Sequence, residues 1–162
     1  RMIRDELPDG GCGAFLVWGD PALYDSTLAI VEDLRTRGTV AFEYAVIPGV
    51  SSVSALAAGH RTGLNRVGRP FQVTTGRRLA EGWPAGVADV VVMLDAHCVF
   101  ADLPDVDDVD IFWGAYLGTP DEILISGPVR EVADEIRRVR REARERKGWI
   151  MDTYLLRRTF PR

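Results

Sequence analysis

Cysteine is scarce: Cys12 and Cys98 stand far apart with no CxxC spacing. That pattern excludes a disulfide framework and a Cys-based zinc site, and it suits a reducing, cytoplasmic setting. Histidine is scarcer in use. His60 and His97 have no second metal-type ligand at a useful spacing, so they read as a helix-end and a loop residue. No apolar run approaches the ~20 residues that span a bilayer, so no membrane partner is expected. The opening residues are charged and carry no secretory signal. A net charge of −4 argues against a nucleic-acid partner. The motifs G-x-G-x-x-G, G-x-x-x-x-G-K-[ST] and G-x-S-x-G are missing, which removes the common nicotinamide, nucleotide-hydrolase and serine-hydrolase readings.

What is present is an ordinary globular composition, 46% hydrophobic and 27% charged, enough for one domain or two small lobes. Residues 2–7 read as the tail of a charged helix ending at Pro8-Asp9-Gly10-Gly11, rather than as a natural beginning. Residues 14–18 (Ala-Phe-Leu-Val-Trp) form a continuous apolar run, the pattern of a strand buried on both faces of a parallel sheet. Asp25 then caps a helix with Leu28, Val31 and Leu34 on one side and Gly38 as its left-handed stop. Residues 40–47 predict a second strand, and Ser51 or Ser52 starts a helix reaching about His60. This alternation is the rhythm of a parallel α/β sheet.

The pattern changes after the Gly- and Arg-containing stretch 63–69. Strands are expected over 71–75 and 89–94. A hairpin is expected from 111–117 through Gly118-Thr119-Pro120-Asp121 to 122–126, which makes this part a mixed sheet. Residues 129–147 predict an amphipathic helix with Val132, Ala133, Ile136, Val139 and Ala143 in its stripe, stopped by Gly148. Its eight cations are interleaved with five acids, the composition of a solvated face rather than a polyanion site. A last strand is expected over 149–156. The acidic stretch 102–110 lacks the central glycine and terminal glutamate of an EF-hand, and reads as a solvated loop. No metal is implied.

Two strand-to-helix loops invite a ligand. Gly19-Asp20-Pro21 and Pro48-Gly49-Val50-Ser51-Ser52 each follow an expected strand, where open α/β sheets leave backbone amides free. Each also reads as a simple turn with a capping side chain. Thr74-Thr75-Gly76-Arg77-Arg78 sets two cations beside two hydroxyls, suited either to substrate carboxylates or to a solvated turn.

In this order, GDPALYDST (19–27), VIPGVSS (46–52), VTTGRR (73–78), VVVML (90–94) and YLGTPDE (116–122) resemble the tetrapyrrole (corrin/porphyrin) methylase family. IPGVSSVSALAAGHRTGLNRVG, TTGRRL and GWIMDTYLLRR are most similar to its deacetylating precorrin C-1 methyltransferases. The resemblance implies two α/β domains with S-adenosyl-L-methionine in the cleft between them. Residues 1–65 would be the end of an N-terminal parallel α/β domain, its upstream part missing, and 66–162 a C-terminal mixed-sheet α/β domain. By matching positions, Trp18, Gly19, Asp20, Leu23, Ser51, Ser52, Met93 and Gly118 would contact the donor, and Arg77 and Arg78 the substrate. Asp20, Tyr24 and Tyr116 are the candidates for proton management.

The implied reaction methylates C-1 of precorrin-5 with loss of acetate, giving precorrin-6A and S-adenosyl-L-homocysteine, in a homodimer. Two alternatives stay open. One is another methylase of this fold, acting on a different tetrapyrrole, on diphthine or on ribosomal RNA. The other is an inactive folding or dimerisation module.

Overall fold

The computed structural model describes residues 5–8 and 10–159. Residues 2–4 of the helix tail expected over 2–7 lie outside these residues; Asp5 and Glu6 are helical. Two compact units divide the chain between Ser51 and Ser52.

The first unit contains one long helix, α1 (Thr27–Arg37). Asp25 does cap its entry, accepting the Thr27 amide at 2.7 Å. Gly38 ends it with a left-handed φ of 63°, its N–H donating a hydrogen bond to the Arg35 carbonyl. The two expected strands, 14–18 and 40–47, do not form: neither segment has strand structure among the described residues. The expectation of burial fails with them, since Leu16 is 97% and Ile47 84% exposed. Apolar patterning selects extended backbone only where a neighbouring strand supplies hydrogen bonds and a packed layer covers the faces. Among the described residues these segments meet neither condition.

The second unit starts with α2 (Ser52–Gly59) and contains a five-stranded sheet. Its strands are β1 (Phe71–Thr75), β2 (Asp89–Met93), β3 (Val109–Ala115), β4 (Ile123–Pro128) and β5 (Asp152–Arg158), in the order β1-β2-β5-β3-β4. β1 and β2 are parallel; the other neighbours are antiparallel, so the sheet is mixed as expected. The β3–β4 hairpin pairs Ala115 with Ile123 around the Gly118 turn. The last strand runs over Asp152–Arg158 rather than 149–156.

Strand alternation divides the sheet into two faces. Val90, Val92, Ile111, Trp113, Tyr154 and Leu156 pack with Ile136 and Ala143 of α4 (Val129–Lys147), the long helix that sequence periodicity located. Gly148 ends α4 with a left-handed φ of 78°. The opposite face takes α2, whose Val53 and Leu56 are buried. His60, just past that helix, bonds its Nε2 to the Trp113 carbonyl at 3.0 Å and stacks edge-on against Phe112. Packing of α2 on the sheet is why the compact units part at Ser51, upstream of the boundary expected at 65/66. Arg157 secures the segment between: it donates to buried Asp89 (2.6 Å), to the Thr62 hydroxyl (3.0 Å) and to the Gly63 carbonyl (2.7 Å).

Candidate functional site

Trp18, Gly19, Asp20, Leu23, Tyr24 and Ser51 belong to the first unit. There Asp20 ties the two candidate loops together. Its Oδ1 accepts the Ala22 amide at 2.8 Å and its Oδ2 the Gly49 amide at 2.9 Å. The contact is so close that a Cβ on Gly49 would lie 2.0 Å from the Gly19 carbonyl oxygen. Gly49 is therefore required by close approach, and Gly19 by its φ of 80°. Asp20 serves as a clasp between loops, with both carboxylate oxygens spent on backbone amides. That weakens its candidacy for proton transfer. Tyr24 is half-exposed with a left-handed φ of 52°, and Trp18 is exposed.

Ser52, Arg77, Arg78, Met93, Tyr116 and Gly118 belong to the second unit. Thr75 and Met93 are register partners at the carboxyl ends of the parallel pair β1–β2. In α/β sheets such ends are where loops diverge and ligands bind. Arg77 and Arg78 follow on α3 (Gly76–Leu79), a short helix where a turn was expected. Both are exposed, and Arg78 is paired with Glu81 at 2.9 Å. On the other side of Met93, its partner in β5 is Thr153, whose hydroxyl donates to the Ser52 hydroxyl at 3.3 Å. The fold thus brings Ser52 and Met93 to a common neighbour.

Gly118 is exposed in the β3–β4 turn, with φ at 74° and its amide donating to Glu122 at 2.7 Å. A Cβ there would meet nothing within 4 Å, so backbone conformation alone calls for glycine. Tyr116 is only 4% exposed, and its hydroxyl donates toward the Trp149 (2.7 Å) and Ala143 (3.2 Å) carbonyls. It fastens the end of α4 and is withdrawn as a proton-transfer candidate.

Sequence reasoning missed the buried polar network behind Met93. Asp95, 5% exposed, accepts the amides of His97 (2.9 Å) and Val99 (2.8 Å) and the Tyr154 hydroxyl (2.6 Å). Burial and the adjacent Asp95 carboxylate drive the Tyr154 hydroxyl far above its usual titration range. Asp152 accepts from Trp113 Nε1 (3.0 Å) and Arg140 Nε (2.9 Å), and Arg140 also donates to the Asp95 carbonyl at 3.1 Å. Cys98 lies beside this network, its thiol pushed up to about 11 by burial. The available signal was a polar triplet, Asp152-Thr153-Tyr154, directly before Leu155-Leu156, and an aspartate directly after Val-Val-Val-Met-Leu.

Comparison with known proteins gives this geometry a family. The model for tetrapyrrole (corrin/porphyrin) methylases matches residues 1–133. A Sinorhizobium precorrin-6A synthase [deacetylating] is 55% identical over 157 residues, covering 97% of this chain and 60% of that protein. The crystal structure of a cobalamin-synthesis-related protein (CobF) from Corynebacterium diphtheriae superimposes with a TM-score of 0.90 at 42% identity, over 97% of this chain and 66% of that one. Uroporphyrin-III C-methyltransferase from Thermus thermophilus, complexed with S-adenosyl homocysteine, shares the fold at TM-score 0.55 and 21% identity, over 85% of this chain and 62% of that one. The chain spans under two thirds of the length of each of these relatives. This chain belongs to the tetrapyrrole (corrin/porphyrin) methylases.

Proposed function

We propose that the intact protein is an S-adenosyl-L-methionine-dependent precorrin-6A synthase that methylates C-1 of precorrin-5 and releases the C-20 unit as acetate. The observation that carries this reading is 55% identity, over 157 residues, to a protein of that name. The donor would supply an electrophilic methyl group: water adds to the C-20 acyl carbon, the C–C bond to C-1 breaks to release acetate and two protons, and its electron pair on C-1 takes the methyl group as the C–S bond breaks and leaves that bond's pair on sulfur in S-adenosyl-L-homocysteine. Little covalent chemistry is left for the protein, so holding the reacting atoms within ~3–3.5 Å is its main task.

In this reading Trp18, Gly19, Asp20, Leu23, Ser51, Ser52, Met93 and Gly118 hold the donor. The residues suit that work: Gly19 and Gly118 permit the left-handed backbone of their loops, and Met93 offers an adaptable apolar surface. Arg77 and Arg78, exposed beyond β1, would pair with the carboxylates of the precorrin. Proton management falls to Tyr24 or to a group outside this chain, with Asp20 acting on loop shape. We assign residues 1–65 to the first domain of the intact protein and 66–162 to the second.

The test is to incubate intact protein and the 162-residue chain separately with precorrin-5 and methyl-labelled S-adenosyl-L-methionine. Labelled precorrin-6A and acetate are expected from the intact protein and no turnover from the shorter chain. Methylation of another tetrapyrrole, of diphthine or of ribosomal RNA in preference to precorrin-5 would overturn the substrate assignment. Comparable product from both proteins would show that this chain is self-sufficient.

The same reading includes a cytoplasmic homodimer. No described helix is long and apolar enough to cross a membrane. Exposed Phe15, Leu16, Val46 and Ile47 give the first unit apolar surface available for association. Light scattering is expected to give the mass of two chains or more, and a monomer mass at high concentration would remove the dimer.

A further inference from the structure

We propose that Thr153 and Tyr154, consecutive residues at the start of β5, are positioning residues of the donor site, holding Ser52 and the Met93 turn from opposite faces of the sheet. The proposal rests on the methylase reading above. Its starting point is strand alternation: neighbouring side chains on β5 must point to opposite faces.

Thr153 points toward α2. It is 4% exposed, and its hydroxyl reaches the Ser52 hydroxyl at 3.3 Å, at the first residue of that helix. Tyr154 points the other way, is 1% exposed, and donates to Asp95 at 2.6 Å. Asp95 in turn gathers the amides of His97 and Val99, so one hydroxyl is tied to the whole turn that follows Met93.

That turn is strained. Leu94 and Cys98 have left-handed φ values of 55° without being glycine. Such conformations persist only where the surroundings over-determine them, and they gather where a backbone shape is used. Gly76, beginning α3, faces Asp95 so closely that a Cβ would lie 2.6 Å from its carboxyl carbon. The Asp95 carboxylate is therefore bonded to the turn after β2 and packed against the residue that follows β1. Register adds the last link, since Met93 is the β-ladder partner of Thr153 itself. A core serving stability alone would be filled by apolar side chains at lower desolvation cost. Here two adjacent polar side chains are buried instead, and each is bonded to a segment that carries a proposed donor contact.

Neither residue need touch the donor, so the test must separate positioning from stability. In the intact protein, Tyr154→Phe and Thr153→Val each delete one hydroxyl with little change of shape. Tyr154→Phe is expected to raise KM for S-adenosyl-L-methionine and Kd for S-adenosyl-L-homocysteine about tenfold, with kcat within about twofold. Thr153→Val is expected to act in the same sense but less, about threefold, because its bond is longer and joins two neutral groups. Thr153→Ser, which keeps the hydroxyl, restores wild-type values.

Donor KM and Kd unchanged in both variants, even with a lowered Tm, would make the pair purely structural and overturn the proposal. If a variant fails to fold, hydrogen exchange on the wild-type protein decides. S-adenosyl-L-homocysteine is expected to slow exchange of the His97 and Val99 amides, and no slowing overturns the proposal. Absence of any S-adenosyl-L-homocysteine binding by wild-type protein is a different result: it sinks the methylase reading, and the positioning role with it.

Discussion

Two apolar runs in this chain read alike and end differently. Val90, Val91 and Val92 are completely buried in the centre of a sheet, while Phe15, Leu16 and Trp18 lie outside any strand at 57%, 97% and 68% exposure. Both runs are short, continuous and follow a turn. The difference is supply: β2 has β1 on one side and β5 on the other, whereas 14–18 has no strand beside it among the described residues. Hydrophobic patterning states what a segment needs, and neighbouring segments determine whether the need is met.

The sharpest way to break this comparison is to put a charge into each run. Val91→Asp buries an unpaired carboxylate and should destabilise the second unit by about 4 kcal/mol or more, unfolding it in mild urea. Leu16→Asp should change stability by less than about 0.5 kcal/mol. Similar urea midpoints for the two variants would show that the runs are equally buried in solution.

A second contrast concerns ion pairs. Arg140 and Asp152 of the second unit keep only 12% and 7% of their side chains exposed, while Arg37 and Asp33 on α1 keep 66% and 54%. Asp152→Ala leaves a buried guanidinium and an orphaned Trp113 donor, and should cost about 3–5 kcal/mol. Asp33→Ala should cost about 0.5 kcal/mol or less. Equal shifts of Tm would refute the distinction.

The smallest effect is chemical. Cys98 lies buried in the second unit and Cys12 exposed in the first. Iodoacetamide at neutral pH should modify Cys12 and spare Cys98 until the protein unfolds, as mass spectrometry of digests would show. Burial raises the folded thiol of Cys98 from 9.0 to about 11. Its contribution to stability is therefore complete below pH 9 and lost as pH rises toward about 11. Cys98→Ser should remove that alkaline loss from the pH–stability curve.

Legibility followed the range of the interactions. Helix α4 was readable to the residue because its stripe, its charged flanks and Gly148 all lie within its own segment. β1 and the hairpin were readable because turn residues and alternation are local as well. The network around Asp95 was not: its members sit at positions 95, 113, 140, 152 and 154, and nothing in their spacing announces that they meet. Tyr116 shows the converse, since its place in a family motif suggested a proton-transfer role and its burial against two backbone carbonyls suggests an anchor. Asp20 is intermediate. The sequence placed it in a ligand loop, while only the folded chain revealed that its carboxylate is spent on Gly49 and Ala22.

By itself, the sequence determined the family, the mixed sheet with its five strands and the long amphipathic helix, because these depend on periodicity, turn residues and short motifs written along one segment. Tertiary structure alone decided which apolar runs become strands and that α2 packs with the later sheet. It also decided that neighbouring side chains of β5 secure two separate segments. Those outcomes depend on hydrogen-bonding partners and buried surface contributed by residues up to a hundred positions away, as in the Ser52–Thr153 contact, where |i−j| is 101. A buried hydroxyl or carboxylate is tolerated only where such a distant partner satisfies it, and that satisfaction exists only once the chain has folded.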